Sequence, residues 1–124
     1  MYNLGVFAMR KDILILMTLM TLMTATQSLA KNNIELLDVR TKAEWDEKHI
    51  EGSSLIDFKG PDFKDKISGL DKEKTYEVYC RSGNRAGSAV KIMTEMGFKR
   101  VENVGSVEDA LKKSKGSCIG PGCN

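Results

Sequence analysis

The sequence lacks several features that would assign it to a common class of protein. Its net charge is only +2 and its basic residues are scattered, so we expect no nucleic-acid partner. It contains no internal repeat and no long low-complexity segment. The chain has 124 residues, which suffices for one domain and hardly for two.

A long uninterrupted apolar run is also missing. The apolar stretch 13–23 contains two threonines and is shorter than the roughly 20 residues that a membrane-spanning helix needs. A basic pair at 10–11 precedes it, and small residues at 28 and 30 follow it, as in a secretory signal. We therefore predict a cleaved signal peptide over 1–30 and no stable membrane association after cleavage, with a retained anchor helix as the alternative.

Cysteine is scarce as well, and its count is odd. There are three cysteines, so one is left over if two of them pair. Cys118 and Cys123 bracket a short Gly-rich segment that can close a disulfide in an oxidising compartment. Cys80 would then be the free thiol. Such a cysteine is either a small buried apolar residue or a reactive group.

The segment Cys80-Arg81-Ser82-Gly83-Asn84-Arg85 favours the reactive alternative. It follows a strand-like run at 75–79 and precedes a helical pattern, so the cysteine should lie at the carboxyl end of a strand, where open α/β sheets bind ligands. Two arginines beside a glycine turn at a helix N-terminus can bind an anion and favour a thiolate. The segment therefore predicts a nucleophile inside an anion-binding loop.

The rest of the chain alternates between strand and helix patterns. Strands are expected at 34–39, 53–58, 75–80 and 100–104, and helices at 41–48, 62–67, 86–96 and 106–113. Thr41 and Ser106 each begin a capping signal, and Trp45 is expected to point into the core. The alternation predicts an α/β fold with a mostly parallel sheet and helices on both faces.

Several segments, in this order, resemble the rhodanese family: Leu37-Asp38-Val39-Arg40 with Glu44-Trp45, His49-Ile50-Glu51-Gly52-Ser53, and Val78 to Ala86 around the cysteine. The similarity covers about residues 33–114 and points to the single-domain periplasmic phage-shock type. It implies a parallel sheet of about five strands. The rhodanese-like domain would span 31–114, followed by a Cys/Gly-rich tail at 115–124.

The resemblance implies a sulfurtransferase. Cys80 would take the outer sulfur of thiosulfate, or of a similar donor, as a persulfide and pass it to cyanide or a thiol in a ping-pong scheme. No metal or organic cofactor would be required. The residues expected to bind the anionic donor are Arg81, Ser82, Gly83, Asn84 and Arg85. Among them Arg85 has the stronger claim to the anion, with Arg81 at the entrance, and Ser82 either caps the helix or donates to the sulfur.

Three further residues are expected to support the loop. We expect Arg40 to pair with Glu44 and Asp38 to brace the loop from the end of its strand. His49 precedes a turn that the family uses structurally, so we do not expect it to act as a general base.

Three other functions remain open. Phosphatases and arsenate reductases of the same fold also use a cysteine and an arginine, but their loop is one residue longer than 80–85. The second alternative is a persulfide carrier, or a binding module that serves a partner protein. Thirdly, Cys118 and Cys123 could accept sulfur from Cys80 instead of forming a structural link.

Overall fold

The computed structural model describes residues 33–124. Its central sheet has four parallel strands in the order β3-β1-β4-β5: β1 (Ile34–Asp38), β3 (Ser54–Leu55), β4 (Thr75–Cys80) and β5 (Arg100–Ser106). β1 pairs with β4 along its whole length, Ile34 opposite Thr75 and Asp38 opposite Tyr79. The strand that carries the cysteine is therefore interior and has a hydrogen-bonded neighbour on each side.

Within 33–124, four helices complete the α/β alternation: α1 (Lys42–Glu47), α2 (Phe63–Ser68), α3 (Asn84–Glu95) and α4 (Val107–Ser114). Thr41 and Ser106 cap α1 and α4, and both capping boxes predicted from the sequence are confirmed. The expected core position of Trp45 is wrong, because no residue of α1 is buried and the indole stacks on the His49 ring.

Helices cover both faces of the sheet because successive strand residues point to opposite sides. Val78 and Cys80 belong to a large apolar cluster with residues of α2 and α3, including Ile67 and Met93. Tyr79, between them in the sequence, belongs to a second cluster with residues of α4. The predicted fold class is confirmed, and the cysteine lies where β4 leaves the core.

A second, antiparallel sheet of two strands joins β2 (His49–Ile50) to β6 (Cys118–Ile119). The central sheet thus has four parallel strands, whereas the resemblance implied about five. Residues 115–124, expected as a tail beyond the domain, supply β6. Ser117 also accepts a hydrogen bond from the Glu51 N–H at 2.9 Å. The chain end is held by backbone pairing, a long-range contact that no local sequence pattern encodes.

The predicted signal peptide at 1–30 lies outside the described residues. Within 33–124, no helix combines the length and apolar character that crossing a bilayer requires.

Candidate active site

Cys80 is the last residue of β4 and is fully buried. Its Sγ accepts hydrogen bonds from two backbone N–H groups, that of Gly83 at 3.0 Å and that of Ala86 at 3.5 Å. One donor belongs to the turn and the other to the first turn of α3, so the positive end of the helix faces the sulfur. Such donors stabilise negative charge on sulfur, as a thiolate nucleophile requires. The segment 80–85 is called the cysteine loop below.

Gly83 forms the turn of the cysteine loop, at a position that favours a residue without a side chain. Its φ is +92°, in the left-handed region, and a Cβ there would lie 3.3 Å from the Gly105 Cα. Its carbonyl accepts a hydrogen bond from the Asn103 side chain at 2.9 Å. Sequence reasoning missed Asn103, since only the pairing of β4 with β5 brings it beside the loop.

Arg85 does not present a free guanidinium to the loop. It makes two hydrogen bonds to the Glu44 carboxylate, at 2.8 and 2.9 Å. Hydrogen bonding from Arg85, assisted by Thr41, lowers the pKa of Glu44 to about 2 although partial burial opposes the shift. The predicted pairing of Glu44 with Arg40 is wrong, because the side chain of Glu44 reaches across to the cysteine loop.

Arg40 pairs with Asp38 instead. The Arg40 Nη2 donates to Asp38 Oδ2 at 2.7 Å and to the Lys48 carbonyl at 2.6 Å. Both residues are nearly inaccessible, Asp38 at 0% and Arg40 at 3% exposed. A buried guanidinium needs a close counter-charge, and the residue two positions away on the same strand end supplies it. The Asp38 carboxylate therefore holds Arg40, and the expected bracing of the cysteine loop by Asp38 stays a prediction.

The other predicted binding residues, Arg81, Ser82 and Asn84, are exposed and line a cavity of about 490 Å³ together with Arg85. We call it the mouth cavity. None of the three side chains has a hydrogen-bond or ion-pair partner within 33–124, so Ser82 does not cap α3, whose N-cap is Gly83. With Arg85 engaged by Glu44, Arg81 is the loop guanidinium still available to an anion.

His49 and Tyr79 hold the chain beside the site. The His49 ring stacks on Trp45 at 3.8 Å, and its Nδ1 lies 2.9 Å from the Trp45 carbonyl, consistent with the expected structural turn. The Tyr79 hydroxyl accepts from the Ile50 N–H at 3.2 Å, and burial raises the pKa of Tyr79 to about 12. This link between β4 and β2 was not predicted. In the described part of the chain no cluster of three potential metal ligands exists.

The other two cysteines are joined to each other. Cys118 and Cys123 form a disulfide with their Cα atoms 5.7 Å apart. All three cysteines lie in the described residues, and Cys80 is the free one. We call residues 118–123 the disulfide-closed turn.

Together the fold and the cysteine loop define a class of protein. It is an α/β domain in which backbone amides donate hydrogen bonds to the sulfur of a buried cysteine at the carboxyl edge of a parallel sheet. The rhodanese-like domain family matches residues 22–113 of the chain. The thiosulfate sulfurtransferase PspE of Escherichia coli is 37% identical over 83 residues, which are 64% of this chain and 78% of PspE.

Solved structures agree. A rhodanese with anions from E. coli superposes with a TM-score of 0.59 at 29% identity, covering 70% of this chain and 98% of that one. A rhodanese-like domain of the Anabaena Alr3790 protein gives a TM-score of 0.60 at 25% identity, covering 69% and 98%. The chain belongs to the rhodanese-like sulfurtransferase family.

Proposed function

We propose that this protein transfers a sulfane sulfur from thiosulfate, or a similar anionic donor, to cyanide or a thiol through a persulfide on Cys80. The observation that carries the proposal is the pair of N–H donors, from Gly83 and Ala86, aimed at a buried sulfur. The similarity to a thiosulfate sulfurtransferase, and to a rhodanese described with anions, supports the choice of donor.

The chemistry proceeds in two steps. The Cys80 thiolate attacks the outer sulfur of thiosulfate, the S–S bond of the donor breaks, and sulfite leaves with the bonding electron pair. The terminal sulfur of the persulfide stays near the loop amides. A cyanide ion or a thiolate then attacks that sulfur and releases Cys80 as a thiolate, giving thiocyanate or an acceptor persulfide. The scheme uses no metal and no organic cofactor.

The geometry disfavours phosphate-ester hydrolysis. A phosphatase loop needs an arginine that is free to bind a phosphate, whereas Arg85 is engaged by Glu44 in this structure. The loop 80–85 is also the shorter form, with less room for a tetrahedral phosphate.

Mass spectrometry after thiosulfate treatment tests the proposal. The wild-type protein should gain one sulfur on Cys80 and turn over thiosulfate with cyanide, and Cys80→Ser should do neither. A phosphatase activity without sulfur transfer would overturn the proposal. A stable persulfide that no small acceptor discharges would instead identify a carrier.

We further propose that the protein acts in the periplasm after removal of residues 1–30. The disulfide between Cys118 and Cys123 supports this, because disulfides persist in oxidising compartments. N-terminal sequencing of the protein isolated from its own cells should begin at Lys31. An intact N-terminus in the mature protein would contradict the export signal.

A further inference from the structure

A second cavity adjoins the mouth cavity at Arg81. Its volume is about 530 Å³, within the range of small-molecule sites, and it shares only Glu44 and Arg81 with the mouth cavity. We call it the side cavity. Its lining includes six charged residues: Arg40, Glu44, Glu47, Lys48, Arg81 and Glu108.

Four of these charges are already compensated. Three ion pairs account for them: Arg40 with Asp38, Glu44 with Arg85, and Lys48 with Glu108. Glu47 and Arg81 are the two lining charges that have no ion-pair partner within 33–124. They are of opposite sign, and both residues are exposed, so a ligand from solvent can reach them.

The backbone of Glu47 is held by the chain end. The Gly122 N–H donates to the Glu47 carbonyl at 2.9 Å. A Cβ at Gly120 would overlap the same carbonyl, so only glycine permits this approach. The disulfide-closed turn therefore fixes the last turn of α1, from which Glu47 projects. Arg81, the other uncompensated charge, directly follows the residue that carries the sulfur.

We propose that the side cavity binds the sulfur acceptor and that this acceptor is a small zwitterionic thiol, with its ammonium group at Glu47 and its carboxylate at Arg81. Each ligand charge would meet an uncompensated charge of opposite sign, which gives selectivity as well as orientation. Arg81 also lines the mouth cavity, so a carboxylate held at Arg81 places the acceptor next to the cysteine loop. The inference rests on the proposed persulfide chemistry for its reaction.

In the reaction, the acceptor thiol loses its proton to solvent, and its thiolate attacks the terminal sulfur of the Cys80 persulfide. A new S–S bond forms in the acceptor while the S–S bond to Cys80 breaks. Cys80 leaves with the electron pair as a thiolate. No electrons are gained or lost overall.

A set of matched acceptors tests the assignment of charges. Cysteinylglycine carries both charges, N-acetylcysteinylglycine lacks the ammonium, and cysteinylglycinamide lacks the carboxylate. With thiosulfate as donor, Glu47→Gln should lower kcat/KM for cysteinylglycine about tenfold relative to the N-acetyl compound. Arg81→Gln should lower it by a similar factor relative to the amide. Comparing ratios removes differences in intrinsic thiol reactivity.

Asp46→Asn is the control. Asp46 neighbours Glu47 on α1, but it is paired with Lys42 and does not line the side cavity, so both ratios should stay at their wild-type values. Equal effects of Glu47→Gln on all three acceptors would overturn the inference while leaving the Cys80 persulfide intact.

A binding measurement separates the inference from the proposed chemistry. S-methylcysteinylglycine cannot accept sulfur, yet it carries both charges. Calorimetry should detect its binding to the wild-type protein and about tenfold weaker binding to Glu47→Gln. Undetectable binding to the wild type would overturn the inference whether or not Cys80 forms a persulfide.

Discussion

The bidentate contact between Glu44 and Arg85 leaves one uncompensated guanidinium in the cysteine loop, that of Arg81. The contact also gives Glu44 two tasks, because the same carboxylate accepts the Thr41 N–H at 3.0 Å and so caps α1. At the scale of single residues, the site is thus arranged by a carboxylate that joins α1 to the loop.

Glu44→Gln should lower the free energy of unfolding by about 2 kcal/mol at neutral pH while preserving the capping function. The folded pKa of Glu44 is about 2, below its usual 4.5. Because the pKa of Glu44 is lower in the folded state than in the unfolded state, the ionised carboxylate stabilises the fold at pH values above the unfolded-state pKa. This contribution disappears as the pH falls from 4.5 towards 2. Urea unfolding of both proteins at neutral pH and near the folded pKa measures it. An unchanged difference at the two pH values would contradict the prediction.

Gly83→Ala should slow persulfide formation about a hundredfold and cost about 1–3 kcal/mol of stability. The left-handed φ at Gly83 strains any other residue, and the turn would shift its N–H away from the Cys80 sulfur. Rapid-quench mass spectrometry and urea unfolding provide the two readouts. Gly69→Ala is the matched control, since Gly69 has an ordinary φ of −80°. Wild-type rates in Gly83→Ala would show that the turn does not position the sulfur.

At the scale of elements, the site is a junction of β4, α3 and β5. The N-terminus of α3 can face Cys80 only if the turn before it is held in place. Asn103, in the middle of β5, does this by donating to the Gly83 carbonyl while it accepts from the Gly105 N–H at 3.0 Å. The cysteine loop is therefore braced from a neighbouring strand as well as by its own turn.

Asn103→Asp should slow persulfide formation about tenfold with a smaller effect on stability. The aspartate keeps the shape of asparagine but cannot donate to the Gly83 carbonyl, so the two oxygens repel each other. The rate of Cys80 persulfide formation and the urea midpoint distinguish a positioning effect from general destabilisation. Glu102→Gln, on the same strand but paired with Lys113, should retain the wild-type rate. If both variants behave alike, Asn103 does not position the loop.

At the scale of the whole molecule, the chain end closes the structure. β6 pairs with β2, and the disulfide-closed turn contacts the end of α1. The same segment of β2 is linked to β4 through the Tyr79 hydroxyl. A continuous set of contacts therefore connects the C-terminus with the strand that carries Cys80.

Cys118→Ser/Cys123→Ser should lower the free energy of unfolding by about 2 kcal/mol, the chain-entropy value for so short a loop. The two cysteines are only five positions apart. Urea unfolding of the wild type with and without reductant should show the same loss, whereas the double variant should not respond to reductant. Equal stability of all these forms would mean that the disulfide does not stabilise the fold.

Much of the fold could be predicted from local pattern. The interior strand at 75–80 and the capping boxes at Thr41 and Ser106 depend on residues close together in the sequence, and the structure confirms them. The expected strand at 53–58 is reduced to Ser54–Leu55, the residues that lie in register with β1, although the Ile56 N–H still donates to the Asp38 carbonyl. Edge pairing of this kind depends on a neighbour distant in the sequence.

The α/β class and the position of Cys80 between a strand and a helix could be predicted from the amino-acid order, because hydrophobic periodicity and turn residues act locally. The partners of the charged residues could not be predicted in this way, because they depend on how the elements pack. Glu44 meets Arg85 and Asp38 meets Arg40, since ion pairs form between side chains that the packed elements bring together. The same reason explains Asn103 beside the loop and β6 beside β2: contacts between distant segments exist only once the sheet is assembled.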